Sequence, residues 1–326
     1  MASGKGCYVG FDLGGTKMLA VVANRDFKVL ARAKKKTKAE GGFSEGLARM
    51  EACLEEALAA AGAGVESLLG IGFGLPGVLD FKAGKIVRLT NVGWTNVPLK
   101  KIFEEKYGAP VAIENDVNAG TYGECRFGAG KGCHDVVGIF PGTGIGGGII
   151  IGGKIHHGVT GAAGELGHLV YDPTGPHCGC GNRGCFEAYA SRVAISARAA
   201  EAVSRGKAPA LQKLAGANLD EIRSSALAKS IKQGDKIVEE IVREAAYIVG
   251  ILAADMVNAL SPSMIVLGGG LVQAMGAIYV EECKRAVESH AMPELRRGVR
   301  VAAAKLGDDS VALGAIALAA EAGKKE

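Results

Sequence analysis

At 326 residues, 48% hydrophobic and 22% charged, the chain has room for two ordinary globular domains and is excluded from the disordered and fibrous classes. A formal charge of +4, with basic residues concentrated only from Arg32 to Lys38, leaves no electrostatic footprint for nucleic acid, and that run reads as a solvated face. The most apolar stretch, 245–260, is interrupted by Asp255 and Asn258 and is too short for a bilayer, so it reads as a buried helix and no membrane partner is expected.

In chain order, MASGKGCYVGFD has no apolar signal core and leads straight into a strand. CYVGFD, MLAVVAN and FKVLARA are β-branched and aromatic, and predict successive strands of a meander, the first two joined as a hairpin at Gly14 and Gly15. A helix is predicted from about Phe43 to Ala61, then the strand LLGIGFG, a GLPG turn, a helix near Leu99 to Tyr107 and the strand PVAIEN. After Asp116 a short helix leads to the strands DVVGIFP and IGGGIII, followed by a glycine-rich loop and helices near 192–205, 219–231 and 235–260. The strand SMIVLGGG, a helix near 276–290, a strand near VRVAAA and an amphipathic helix from about Ser310 to Ala320 close the chain. The order is that of two α/β domains, without an internal repeat or a low-complexity linker.

Residues 164–191 carry unusual chemistry. His168, Cys178, Cys180 and Cys185 match the closed shell of one imidazole and three thiolates that structural zinc takes. A disulfide fits poorly, because Cys178 and Cys180 are too close for an easy bridge and a thiol would be left over. Gly179, Gly181 and Gly184 point instead to a chain wrapped around a point, and His177 is the rival for the fourth ligand. The other five of the eight cysteines, Cys7, Cys53, Cys125, Cys133 and Cys283, are isolated and suit reduced thiols in a cytoplasm.

The chain has 50 glycines, clustered at Gly14–Gly15, Gly72–Gly77, Gly142–Gly148 and Gly268–Gly270, where backbone must turn sharply or approach a ligand. GTGIGG satisfies the dinucleotide spacing GxGxxG, but it runs into another strand rather than a helix, so the dinucleotide reading fails and a hairpin remains. Such a hairpin can hold phosphate through successive N–H groups, with Thr143 adding a hydroxyl. DLGGTK has the same logic: Asp12 ends the first strand, and Thr16 and Lys17 supply a hydroxyl and a cation.

Together DLGGTK (12–17), GLPG (74–77), ENDVN (114–118), GTGIGGG (142–148), GELGH (164–168), CGCGNRGC (178–185) and LGGG (267–270) resemble, in order and spacing, the ROK family of bacterial sugar kinases and repressors, over nearly the whole chain. The resemblance implies an α/β, actin-like (RNase H-like) two-domain sugar kinase fold with a cleft between domains and a moving hinge. The small domain would comprise 1–117 with 308–326, and the large one, with the zinc loop, 118–307. It implies ATP held by Gly14, Gly15, Thr16, Lys17, Thr143 and Gly144, with Gly268, Gly269 and Gly270 beneath the nucleotide and Asp12 holding magnesium or its waters. The repressors carry an added DNA-binding region, for which the six residues before Cys7 leave no room.

From the residues alone Asp116, between strand and helix, reads as a helix cap. By resemblance it is the base that takes the proton of the attacking sugar hydroxyl. Asn115 would hold an adjacent hydroxyl, and Glu165, His168 and Glu187 would complete the sugar site. If one His168 nitrogen binds zinc, the other donates, and a sugar hydroxyl suits it. The function implied is an ATP-dependent hexokinase of glucokinase type acting as a homodimer. The alternatives are an N-acetylhexosamine, fructose or mannose kinase, a polyphosphate user, or a non-catalytic sugar-responsive regulator. Pro141, Val117 and Gly120 depart from the residues usual in such kinases.

Overall fold

The computed structural model describes residues 6–37, 41–89 and 92–323. Lys38, the end of the basic run, and the first five residues lie outside them. The chain divides into two compact units, the first made of Met1–Gly132, Lys154–Ala163 and Lys305–Glu326, the second of Cys133–Gly153 and Gly164–Ala304.

In the first unit Cys7–Leu13 (β1) and Lys17–Asn24 (β2) form the expected hairpin, paired from Cys7 with Asn24 to Leu13 with Met18. Val29–Lys36 (β3) continues the meander and is an edge strand. Three of its four basic residues are partnered: Arg32 with Asp309, Lys34 with Asp308 and Lys35 with Glu56. Lysines on an edge also discourage pairing with another chain. Gly42–Ala60 (α1) is helical for a legible reason, since Met50, Cys53, Leu54, Ala57 and Leu58 recur at three- and four-residue spacing and all are buried. Leu68–Leu75 (β4) follows. The chain then makes three short strands that the sequence pattern did not predict, Val78–Asp80 (β5), Lys85–Leu89 (β6) and Trp94–Val97 (β7), paired antiparallel as a small sheet of their own. Each is too short for alternation to register. Leu99–Tyr107 (α2), Val111–Asn115 (β8) and Asp116–Phe127 (α3) complete this part, with α3 longer than the expected short helix. The main sheet runs β3-β2-β1-β4-β8, with β4 parallel to both β1 and β8.

The second unit starts with the hairpin Val136–Pro141 (β9) and Ile145–Ile151 (β10). The chain passes through Lys154–Ile155 (β11) in the first unit and returns for Phe186–Ala190 (α4), Arg192–Ser204 (α5), Pro209–Ala215 (α6), Ser224–Lys232 (α7) and Lys236–Leu260 (α8). The helix expected over 219–231 begins later. The Asn218 carboxamide accepts from the Asp220 N–H at 3.0 Å, a local turn that competes with helix. Met264–Leu267 (β12) is parallel to β9 and to Arg300–Ala303 (β13), giving the order β10-β9-β12-β13. Gly269–His290 (α9) starts seven residues before the expected 276 and breaks at Met275 (φ −140°, ψ 36°). Pro293–Arg296 (α10) follows.

The closing helix, Ser310–Ala322 (α11) in the first unit, is not amphipathic as expected. It is buried nearly all round, through Ala312, Leu313, Ala315, Ile316, Ala319 and Ala320 among others. The glycines of the strands beneath explain this. A Cβ at Gly10 or Gly72 would run into the carbonyl oxygen of Ala312 or Ala315. Gly10 and Gly72 therefore serve helix packing, not the ligand approach expected of the 72–77 cluster. Glu124 of α3, fully buried, secures the chain just before α11, accepting from the N–H groups of Ala129, Lys305 and Leu306 at 2.8, 2.9 and 2.7 Å. Glu124→Ala strands three donors, so urea unfolding should report a loss of about 3 kcal/mol or more; a loss under about 1 kcal/mol would refute this role.

Candidate functional site

Asp12, Glu114 and Asn115 lie near the carboxyl ends of parallel strands, where open α/β sheets hold their ligands. Asp12 pairs in register with Gly74, and Gly74 with Glu114. The β1–β2 turn of Gly14, Gly15 and Thr16 is closed by the Gly14 N–H on the Lys17 carbonyl at 2.9 Å. Buried Thr37 braces it, donating its hydroxyl to the Gly14 carbonyl at 2.7 Å and its N–H to that of Thr16 at 3.0 Å. Thr16 and Lys17 are exposed. Lys17 Nζ lies 3.3 Å from Asp308, which also takes Lys34 at 3.1 Å. Exposed pairs of this kind are worth about 0–1 kcal/mol, so Lys17 can leave Asp308 at small cost.

Burial, reinforced by the neighbouring carboxylates of Asp116 and Asp308, pushes Asp12 up to about 7 against the opposing charges of Lys17 and Lys34. A divalent cation relieves that electrostatic strain, so Asp12 suits a magnesium ion or its waters. Asp116 is the first residue of α3 and is not its cap. Asn115 is the cap, its side-chain oxygen accepting from the N–H groups of Val117 and Asn118 at 2.9 and 3.1 Å. The amide nitrogen of Asn115 is thus the end suited to meet a ligand acceptor.

In the second unit the β9–β10 turn carries Gly142, Thr143 and Gly144, closed by the Gly142 N–H on the Gly144 carbonyl at 2.8 Å. Arg192, at the start of α5, donates its N–H to the Gly142 carbonyl at 2.8 Å and a guanidinium N–H to the Thr143 hydroxyl at 3.2 Å. Gly268 caps α9, and its N–H donates to the Ile139 carbonyl at 3.0 Å. Gly269 has φ +79°, and a Cβ there would meet the Pro141 carbonyl at 2.6 Å. The glycine run therefore lies against the base of the same hairpin and opens a helix whose first N–H groups suit an anion.

The cysteine loop is tied by local hydrogen bonds. The Cys178 N–H donates to the Asn182 carbonyl at 2.8 Å and the Gly181 N–H to the Cys178 carbonyl at 3.0 Å. Gly184, at φ +70°, lies so close to the Asp172 carbonyl that no Cβ fits. The donor atoms of His168, Cys178, Cys180 and Cys185 all lie within 4.8 Å of one another. His168 Nδ1 is 3.6 Å from Cys178 Sγ, and Cys180 Sγ is 3.7 Å from Cys185 Sγ. Tetrahedral zinc, with bonds of about 2.3 Å to sulfur and about 2.0–2.1 Å to nitrogen, sets its donors about 3.5–3.8 Å apart. Those two spacings fit the ion. His177, the rival ligand, is outside the cluster, in a bridge with Arg183.

A hydrogen bond from Asn182 lowers the Cys180 thiol, whereas burial and the adjacent thiols push Cys185 up to about 12. His168 Nε2 points the other way, 4.0 Å from the exposed Glu165 carboxylate. Glu187 accepts from the Ile145 N–H at 2.9 Å, so it anchors the β9–β10 hairpin as well as standing 3.9 Å from Cys178 Sγ.

Residues 8–322 match the ROK family. The chain belongs to the ROK family. It is 34% identical over 313 residues to a glucokinase of Halalkalibacterium halodurans, covering 94% of this chain and 93% of that one. It is 30% identical over 313 residues to a xylose repressor of Caldicellulosiruptor bescii, covering 96% of this chain and 78% of the repressor. The crystal structure of a ROK family glucokinase from Streptomyces griseus in complex with glucose and AMPPNP superposes with a TM-score of 0.83 at 34% identity, covering 97% of this chain and 100% of that one. The fold is the actin-like α/β fold of the ROK sugar kinases.

Against the ROK motifs, sequence reasoning missed Thr37, Asp308 and Arg192. Arg192 had a readable signal. A cation at the first position of a helix opposes the helix dipole, which is tolerated when it has a task such as holding Thr143. Asp308 and Thr37 meet the first hairpin only through tertiary contact, and no local pattern marks them.

Proposed function

We propose that the chain is an ATP-dependent hexokinase of glucokinase type, moving the γ-phosphoryl group of ATP to the 6-hydroxyl of glucose or a related hexose. The observation that carries the reading is that the Asp116 carboxylate is near enough to raise the buried Asp12, beside a glycine hairpin that offers Thr16 and Lys17. Asp116 accepts the hydroxyl proton as the oxygen–phosphorus bond forms and the bond to the ADP oxygen breaks. Asn115 holds a neighbouring hydroxyl through its amide nitrogen. The ROK resemblance makes Gly14–Lys17, Thr143, Gly144 and Gly268–Gly270 the proposed phosphate contacts.

Magnesium held with ATP at Asp12 would neutralise charge developing on the phosphates. Zinc held by His168, Cys178, Cys180 and Cys185 would fix the loop, so that His168 Nε2 donates to a sugar hydroxyl beside Glu165; Glu187 is the further proposed sugar contact. A cytoplasmic location is supported by eight free cysteines. Among the described residues no helix is long and apolar enough to cross a membrane. A homodimer follows from the resemblance, and sedimentation checks it.

The test is a panel of glucose, mannose, fructose and N-acetylhexosamines with ATP or polyphosphate, read as product and phosphorylated position. Hexose 6-phosphate from glucose and ATP is the expected result. A preference for an N-acetylhexosamine would move the assignment within the kinases, and sugar binding without product would replace it by a regulator, the class of the xylose repressor. Arg192→Ala should raise the KM for ATP about tenfold by removing a charged hydrogen-bond donor, with the sugar KM little changed. An unaltered ATP KM would exclude Arg192 from the nucleotide site.

A further inference from the structure

Glu114, the penultimate residue of β8, is 3% exposed. Carboxylates persist in such surroundings only when paired and hydrogen-bonded. Its Oε1 accepts from the backbone N–H of Asn115 at 2.9 Å and from Nδ2 of Asn118 at 3.1 Å. One oxygen therefore grips both ends of the first helical turn, with Asp116 between. Its Oε2 lies 2.7 Å from Nε2 of His157. His157 comes from Lys154–Ala163, the stretch that belongs to the first unit although β9 and β10 before it belong to the second. The imidazole packs against Phe81 with ring centroids 4.5 Å apart and the planes tilted by 42°, and the His157 carbonyl accepts from the Ala163 N–H at 3.1 Å. Phosphoryl transfer as described above has no task for this histidine.

We propose that His157 is a positioning residue for phosphoryl transfer: it matches the buried charge of Glu114 and so holds the β8–α3 corner in the shape that presents Asp116 to the acceptor hydroxyl. The inference rests on Asp116 being the base. With Oε1 committed to Asn115 and Asn118, the second oxygen needs a donor, and an imidazolium supplies a proton and a positive charge in one group. The bond to Glu114 in turn holds His157 above the usual histidine range, against the opposing effect of its own partial burial. Without the imidazole the second oxygen loses its partner and the carboxylate turns toward water, which disturbs the bonds to Asn115 and Asn118, and a misplacement of about 1 Å at a reacting group costs about 10²-fold in rate. His157 itself moves no proton to or from the substrate.

The test compares wild type, His157→Ala, Glu114→Gln and the double variant, with Asp116→Asn as a separate arm. Each is assayed with the preferred hexose and Mg–ATP, and kcat is corrected for the folded fraction. His157→Ala should lose about 30- to 100-fold in kcat. The double variant, in which a neutral amide no longer needs a cation, should recover about tenfold or more of that loss. A kcat for folded His157→Ala within about threefold of wild type, or a double variant no faster than His157→Ala, overturns the proposal. If His157→Ala does not fold, His157→Gln, which keeps a donor without charge, takes its place, and full activity there overturns the proposal equally. A slow Asp116→Asn beside fully active His157 variants sinks this inference alone, whereas an active Asp116→Asn sinks the reading of the base.

Discussion

Asp116→Asn should lower kcat for hexose phosphorylation by about 10³-fold, within the 10²–10⁴ that a positioned base contributes, while the hexose dissociation constant stays within about threefold. The substitution is nearly isosteric. The Val117 N–H that donates to Asp116 Oδ1 at 2.9 Å keeps an acceptor in the asparagine oxygen, and Asn115 still caps the helix, so the corner keeps its geometry. What disappears is the capacity to take a proton. The lost helix-dipole interaction at the first helical position is about 0.3–1 kcal/mol, too little to unfold the unit. Turnover by coupled assay and hexose binding by calorimetry read the two quantities separately. Near-normal turnover would remove Asp116 as the base whatever the binding data show.

Cys180→Ser should strip zinc from the purified protein and weaken hexose binding by about 10- to 100-fold, the range seen when supports of a metal site are removed. Cys180 is the exposed member of the four donors, so serine there is accommodated without a packing penalty and the effect reports the metal. The loop has little else to fall back on. Its hydrogen bonds are short-range turns, and Gly184 and Gly181 at positive φ leave it a large entropy to regain on release. Because Glu187 reaches from this segment to the Ile145 N–H, disorder should spread to the β9–β10 hairpin and raise the KM for ATP as well. Metal content by atomic spectroscopy decides the matter: stoichiometric zinc in the serine variant would end the assignment.

The two hairpins were legible because each joins two apolar strands through a glycine-bearing turn, Gly14–Gly15 in one and Gly142–Thr143–Gly144 in the other, a signal confined to about a dozen residues. The cluster of His168 with three cysteines was legible for a related reason, its three thiols lying in one turn-rich segment. Identifying Asp116 as the helix cap failed where two adjacent polar residues compete for the same N–H groups. Only the backbone, extended at Asn115 (φ −62°, ψ 142°), decides which of them caps. Glycines misled in one respect. Gly72 looks like Gly142 in sequence, yet one lies under α11 and the other in a turn, because close helix approach and sharp reversal both demand the absence of Cβ.

The amino-acid order by itself determined the family and the longer elements, though not the short strands β5–β7, since periodicity, turn chemistry and motif spacing are all local. Tertiary structure alone decided that both units build the same motif, an antiparallel hairpin followed by two parallel strands (β2-β1-β4-β8 and β10-β9-β12-β13), although no sequence repeat betrays it. It alone joined Glu114 to His157, Glu124 to Lys305 and Lys17 to Asp308, across 43, 181 and 291 residues of chain. Such pairs are fixed by the desolvation of a buried carboxylate or the reach of a surface cation, and neither leaves a trace in the spacing of residues along the chain.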